Sequence, residues 1–271
     1  MLLPRRDDAV TCEARDTTRR VGRTFAIACR LLPRHLRGDV YRLYLVFRTL
    51  DDLVDDGDPA APARISAVEA WCDGGEPSSR ETEILADLGS RHPIPRAALR
   101  DFCGGMRDDL EAIPILTEAD LDAYCYRVAG TVGVVMAAIL GTRGNADAEA
   151  AALGMAMQRT NILRDIDEDR AQGRSYIPSH TLARFGTPEP GRREELLRDQ
   201  IGRADALYDR GVAGIPRLRS GRRAISAAAA MYREILRQIE RDGYGRRAGR
   251  AVVPRRRKLL IAARRGVAGP A

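Results

Sequence analysis

Apolar residues recur along this chain at three- and four-residue spacing, and no stretch sustains apolar–polar alternation with β-branched enrichment. That is the period of an α-helix lying on a core, so the pattern predicts an all-α protein. Helices are expected near 15–32, 38–56, 62–72, 79–90, 94–112, 118–141, 147–171, 191–219 and 221–243. Gly74-Gly75-Glu76-Pro77 and Gly186-Thr187-Pro188-Glu189-Pro190 fall between periodic segments and punctuate them. With 271 residues and no linker-like break, the chain reads as one domain over 1–271, its ends 1–14 and 259–271 flexible.

Two segments carry polar residues in single file. Tyr44, Arg48, Asp51 and Asp55 lie three or four apart, as do Gln158, Asn161, Asp165 and Asp169. At about 100° per residue each set collapses onto one narrow helical stripe. The neighbouring stripes are apolar, with Leu43, Phe47, Leu50 and Val54 beside the first and Met155, Ile162 and Ile166 beside the second. Both files end in loops, Gly57-Asp58-Pro59 and Gln172-Gly173-Arg174, so Asp55 and Asp169 stand at helix C-termini, where the macrodipole disfavours anions. Carboxylates flanked by a core in such positions call for cations.

Charge and cysteine usage narrow the setting. The net charge is +7, yet nine basic residues lie between Arg246 and Arg265 and no acidic residue follows Tyr244, so the remainder is close to neutral. Arg255, Arg256, Arg257 and Lys258 read as a surface cluster suited to peripheral contact with an anionic membrane. No nucleic-acid-binding module accompanies it, so nucleic acid is not an expected partner. Cys12, Cys29, Cys72, Cys103 and Cys125 form neither a zinc motif nor an even disulfide set, which fits a reducing cytoplasm. Arg5, Arg6, Asp7 and Asp8 interrupt any signal-peptide core, and the apolar run Val132–Leu140 is about half of the ~20 residues a bilayer span needs.

Two facing helices that each offer carboxylates one turn apart form an all-oxygen site for Mg²⁺, a cation commonly shared with phosphate. Asn161 adds a neutral oxygen. A di-iron bundle would need Glu-x-x-His units, and His35, His92 and His180 lie near neither stripe. Ordinary ion pairs with Arg48 and Arg164 are the commoner fate of a single such stripe. Two matched stripes beside apolar faces favour the metal.

Tyr44-Leu45-Val46-Phe47-Arg48-Thr49-Leu50-Asp51-Asp52-Leu53-Val54-Asp55-Asp56 resembles the first aspartate-rich segment of the squalene/phytoene synthase family. Gln158-Arg159-Thr160-Asn161-Ile162-Leu163-Arg164-Asp165-Ile166-Asp167-Glu168-Asp169, followed by Gly173-Arg174-Ser175-Tyr176-Ile177-Pro178, resembles the second. Tyr124-Cys125-Tyr126-Arg127-Val128-Ala129-Gly130-Thr131-Val132-Gly133 matches a third segment between them, and weaker similarity covers roughly residues 20 to 260.

The resemblance implies a single-domain isoprenoid synthase fold, a helical bundle around an apolar cavity. It assigns metal binding to Asp51, Asp55, Asn161, Asp165 and Asp169, with three Mg²⁺ ions per site, and makes the four aspartates with Tyr44 and Arg48 the catalytic set. Diphosphate contacts fall to Arg48, Gln158, Tyr232 and Arg250, with Arg164 and Arg174 beside them and Thr24 and Phe25 at the edge. Tyr124, Val128, Ala129, Val132 and Gly133 would line the prenyl pocket. Gly130 and Gly133 read equally as close helix packing and as pocket shaping.

The chain departs from the family pattern at Thr24 and Phe47, at Pro114 and Ile115, and at Gly245-Arg246-Arg247. The changes at Thr24 and Phe47 are tolerable ones, Thr24 keeping the hydroxyl, whereas those at 114–115 and 245–247 bear on prenyl length rather than on ionisation.

The implied reaction is Mg²⁺-dependent head-to-head condensation of two allylic isoprenyl diphosphates, farnesyl or geranylgeranyl, through a cyclopropylcarbinyl diphosphate to a C30 or C40 hydrocarbon. A terpene cyclase acting on one substrate is the alternative, and a non-catalytic assembly factor a third reading. The latter has no need of buried carboxylates that cost stability without cations. NADPH use stays open, because no glycine-rich dinucleotide fingerprint is present and a helical enzyme can bind the cofactor without one.

Overall fold

The protein is described here by a computed structural model covering residues 6–267; residues 1–5 and 268–271 of the expected flexible ends lie outside it. Thirteen α-helices make up the described chain, with no strand and one isolated bridge between Thr142 and Leu218. The all-α expectation holds. Two long helices frame the interior: α3 (Arg34–Asp55) and α9 (Asp147–Ala171). In α3, Leu36, Val40, Leu43, Phe47, Leu50 and Val54 bury one continuous face. Each such burial contributes about 1.5–3 kcal/mol. Gly57 at φ 64° and Gly173 at φ 74° end the two helices in the left-handed conformation that glycine tolerates best.

Between them runs a continuous helical rod, α7 (Glu118–Cys125), a π-helical turn over Tyr126–Gly130, and α8 (Thr131–Leu140). A reciprocal cap starts it: Asp120 N–H donates to Thr117 Oγ1 at 3.2 Å, and Thr117 N–H donates to Asp120 Oδ2 at 2.8 Å. The rod crosses α9 at backbone contact. A Cβ on Gly133 would lie 2.2 Å from the Ala150 carbonyl oxygen, and one on Gly154 would lie 2.1 Å from that of Ala129. By length and hydropathy Glu118–Leu140 could span a bilayer, but here it packs within the bundle.

The remaining helices are α1 (Arg6–Arg20), α2 (Arg23–Cys29), α4 (Ala61–Cys72), α5 (Arg80–Gly89), α6 (Arg96–Leu110), α10 (Ser179–Phe185), α11 (Glu194–Ala213), α12 (Arg222–Arg241) and α13 (Arg255–Val267). One apolar cluster joins α3–α6 with α8, and another joins α7 with α9, α11 and α12.

Several sequence expectations are corrected. The single helix at 15–32 is two, broken at Gly22, where a Cβ would stand 2.8 Å from Tyr44 Oη. The helix at 191–219 ends at Ala213 and gives way to a short 3₁₀ turn containing Pro216. Neither α10 nor α13 is among the expected helices, and α1 starts at Arg6 rather than near residue 15.

Candidate active site

A cavity of about 840 Å³ lies among α2, α3, the π turn, α8, α9, α11 and α12. Its depth is apolar, with Phe25, Phe47, Phe102, Val132, Met136, Leu153 and Ile225 on the wall. Its polar groups include Thr24, Tyr44, Arg48, Asp51, Gln158, Asn161, Arg164, Tyr232 and Arg250. Val128, Ala129 and Gly133 also line it, so the glycine that permits helix crossing shapes the pocket as well.

The first acidic stripe is neutralised locally. Arg48 donates from Nη1 to Asp51 Oδ2 at 2.8 Å and also pairs with Asp52, while its Nε is buried without a partner. Burial, then the neighbouring Asp55 charge, pushes the Asp51 carboxyl up to about 6 against the pull of Arg48. Although 43% of the Asp51 side chain is accessible, it lines the cavity, so much of its surroundings is protein rather than bulk water. Tyr44 stacks on Phe25 with ring centroids 5.4 Å apart, and burial pushes its hydroxyl up to about 12.

On α9, Arg164 donates from Nε to Asp165 Oδ1 at 2.7 Å, and Arg250 Nε lies 3.0 Å from the same oxygen. Burial and the Asp165 charge push the Asp169 carboxyl up to about 6. Asn161 Nδ2 donates to Gln158 Oε1 at 3.3 Å, leaving the buried Asn161 Oδ1 without a hydrogen-bond partner.

Asp55, Asp165, Asp169 and Arg174 lie outside the cavity lining. Arg174 holds Asp55 at 2.6 Å, and its charge also acts on Asp169, so it ties the two stripes together. Tyr124 departs from its expected place on the prenyl wall. It stacks on Tyr176 at 5.2 Å and donates to Asp109 Oδ2 at 3.3 Å.

Other residues near the site escaped sequence reasoning. Asp109, from α6, is pushed up to about 7, first by burial and also by the Asp51 and Asp55 charges. Arg20 and Lys258 line the cavity, and Lys258 Nζ donates to Thr24 Oγ1 at 2.9 Å. The basic cluster therefore divides: Arg257 pairs with Glu234 at 3.1 Å, and Arg255 and Arg256 remain exposed. Lys258, Ile261 and Ala262 turn inward at three- and four-residue spacing, which was the available signal, and the run of arginines hid it.

Among the described residues, no three carboxylate, histidine or cysteine side chains converge closely enough to chelate a metal unaided. The donors nevertheless suit Mg²⁺, which commonly takes one or two carboxylates and completes its shell with water and substrate phosphate. The unpartnered Asn161 oxygen, and the burial and like-charge neighbours that disfavour the charged forms of Asp51 (beside Asp55) and Asp169 (beside Asp165), are what a bound cation would relieve.

Residues 18–257 match the sequence model of the squalene/phytoene synthase family. The chain belongs to that family. It is 40% identical over 243 residues to a phytoene synthase of Thermus thermophilus, covering 83% of this chain and 82% of that one. It is 34% identical over 275 residues to a 15-cis-phytoene synthase of Synechococcus elongatus, covering 91% and 89%. A crystal structure of a dehydrosqualene synthase with ligand superposes with a TM-score of 0.87 at 27% identity, over 96% of each chain. The squalene synthase HpnC of Alicyclobacillus acidocaldarius superposes with a TM-score of 0.76 at 25% identity, over 90% of this chain and 97% of that one. The fold is the isoprenoid synthase fold, and the family member described here is a prenyltransferase-type enzyme.

Proposed function

We propose that the protein condenses two allylic isoprenyl diphosphates head to head, through a cyclopropylcarbinyl diphosphate, to a phytoene-type hydrocarbon. The observation that carries this reading is the cavity itself, where one apolar space is bordered by Arg48, Gln158, Asn161, Arg164, Tyr232 and Arg250. Its volume is near the upper end of the ~300–1,000 Å³ range of small-molecule sites, as two prenyl chains require. The phytoene synthase relatives favour phytoene over squalene.

Asp51, Asp55, Asn161, Asp165 and Asp169 would hold Mg²⁺, which when bound supplies Lewis-acid neutralisation of the departing diphosphate. The protein's own groups do the rest. Arg48, with a free buried Nε, and Arg250 present guanidinium donors suited to diphosphate oxygens. Tyr44, Phe25, Phe47 and Phe102 keep water from the allylic cation and turn aromatic surface toward it. Two leaving groups must be held in turn, and the number of cationic and polar groups favours condensation over a one-substrate cyclase. The reading extends to a cytoplasmic enzyme that touches an anionic leaflet through Arg255, Arg256 and the exposed Leu259 and Leu260.

Incubation with Mg²⁺ and either farnesyl or geranylgeranyl diphosphate tests the proposal. The expected product is a linear hydrocarbon with twice the carbon of its substrate, formed equally well without NADPH. A cyclic product of unchanged carbon number would establish the cyclase, and a strict NADPH requirement would replace phytoene-type with squalene-type chemistry.

A further inference from the structure

Asp167 sits between the aspartates of the second stripe, yet helical geometry turns it away from Asp165 and Asp169, and it does not line the cavity. Arg193, just ahead of α11, grips it with two parallel bonds, Nη1 to Oδ1 at 2.7 Å and Nη2 to Oδ2 at 2.8 Å. The guanidinium is 4% exposed and the carboxylate 18%. The same Oδ2 accepts the backbone N–H of Gly249 at 2.7 Å.

Other contacts fix the same loop. Arg193 donates to the Arg247 carbonyl at 3.5 Å, and Gly191 N–H donates to the Gly245 carbonyl at 3.1 Å. Gly245, at φ 70°, lies directly on the guanidinium, for a Cβ there would stand 2.2 Å from Arg193 Nε. The loop between α12 and α13 is thus stapled at three residues around one buried ion pair. The residue after the last staple is Arg250, whose guanidinium reaches Asp165 and lines the cavity.

We propose that the Arg193–Asp167 pair is a positioning device that holds Arg250 at the cavity before substrate arrives. The inference rests on the reading of Arg250 as a diphosphate contact. A bidentate pair fixes orientation as well as distance, and a loop ordered during folding need not be ordered again on binding. Neither residue touches substrate; each acts through Arg250.

The test uses the full chain and inorganic pyrophosphate with Mg²⁺ as the titrated probe. Arg250→Ala should weaken pyrophosphate binding about tenfold at an unchanged thermal midpoint, and Asp167→Asn or Arg193→Lys about fivefold at a temperature well below the lowered midpoint expected when one side of a buried ion pair is removed. The double variant Asp167→Asn/Arg250→Ala should bind no more weakly than Arg250→Ala alone, because the clamp has nothing left to position. Without metal, the Gly249 amide should exchange hydrogen faster in Asp167→Asn than in the parent. Full additivity in the double variant, or parent-like binding by both Asp167→Asn and Arg193→Lys while Arg250→Ala is weakened, overturns the clamp alone. Parent-like binding by Arg250→Ala removes the diphosphate reading of Arg250, and the clamp's role with it.

Discussion

Arg174 and Asp55 form a 2.6 Å ion pair although 119 residues separate them in sequence. The contact draws the loop after α9 onto the C-terminal end of α3, where Arg174 Nη2 also reaches the Asp55 carbonyl at 3.4 Å. Side chains 40% and 47% exposed make a pair worth only about 0–1 kcal/mol in stability. Arg174→Ala should therefore barely move Tm. It should lower kcat/KM about tenfold, chiefly through KM, if the guanidinium also meets diphosphate. Steady-state kinetics beside a thermal melt checks both halves.

Asp51 and Asp165 should differ when each is changed to Asn. Asp51 is strained by burial and by Asp55, so Asp51→Asn should raise the Tm of the metal-free protein. Asp165 answers both Arg164 and Arg250, and its removal leaves two cations facing each other, so Asp165→Asn should lower Tm. Both should cut turnover by about 10²-fold or more at saturating Mg²⁺. Near-normal turnover in either variant would remove that residue from the metal set.

The raised carboxyls give metal-free stability a definite pH dependence. Asp51 and Asp169 are pushed up to about 6 and Asp109 to about 7, each mainly by burial. A carboxyl whose folded pKa exceeds its unfolded value stabilises the fold below the unfolded value and loses that contribution as pH rises through the folded one. The contribution of these three groups should accordingly fall between about pH 4 and pH 7. Melts over that range should show a shallower decline in Asp109→Asn. Mg²⁺ with pyrophosphate should restore stability at pH 7.

How much was legible follows from what each feature depends on. The acidic stripes and their apolar flanks are set by three- and four-residue spacing within one helix, and the sequence displays that directly. Arg250 carries no such phase and was reached through family resemblance alone. Asp109 was missed because its partners Tyr124, Asp51 and Asp55 come from α7 and α3. At the break between α1 and α2 the sequence shows only a lone glycine, Gly22, and the close approach of Tyr44 Oη that leaves no room for a Cβ there comes from another helix. Helix α10 has seven residues, too few to establish a period.

Two glycine substitutions separate close packing from mere helix propensity. In Gly133→Ala the new Cβ meets the Ala150 carbonyl oxygen at 2.2 Å, backbone that cannot step aside. A loss of about 1–3 kcal/mol is expected, with a displaced cavity wall. Gly104, on α6, has nothing within 4 Å of its Cβ position. Gly104→Ala should stabilise by about 0.4–1 kcal/mol. Urea unfolding of the pair measures the difference, and equal behaviour would mean that α8 and α9 do not cross this tightly.

The C-terminal basic residues should separate by function along α13. Lys258 points inward, donating to the buried Thr24 hydroxyl at the cavity, whereas Arg255 and Arg256 are exposed near Leu259 and Leu260, each 44% exposed. An apolar pair beside arginines suits an anionic interface, at about 1 kcal/mol per basic residue. Arg255→Ala/Arg256→Ala should lower binding to phosphatidylserine vesicles and spare turnover in detergent. Lys258→Ala should do the reverse, keeping most vesicle binding while raising KM for the prenyl diphosphate. Vesicle flotation and detergent kinetics on both variants form the crossed test. Equal loss of vesicle binding in both would return Lys258 to the surface cluster, and no loss in the double arginine variant would leave those two arginines merely solvated.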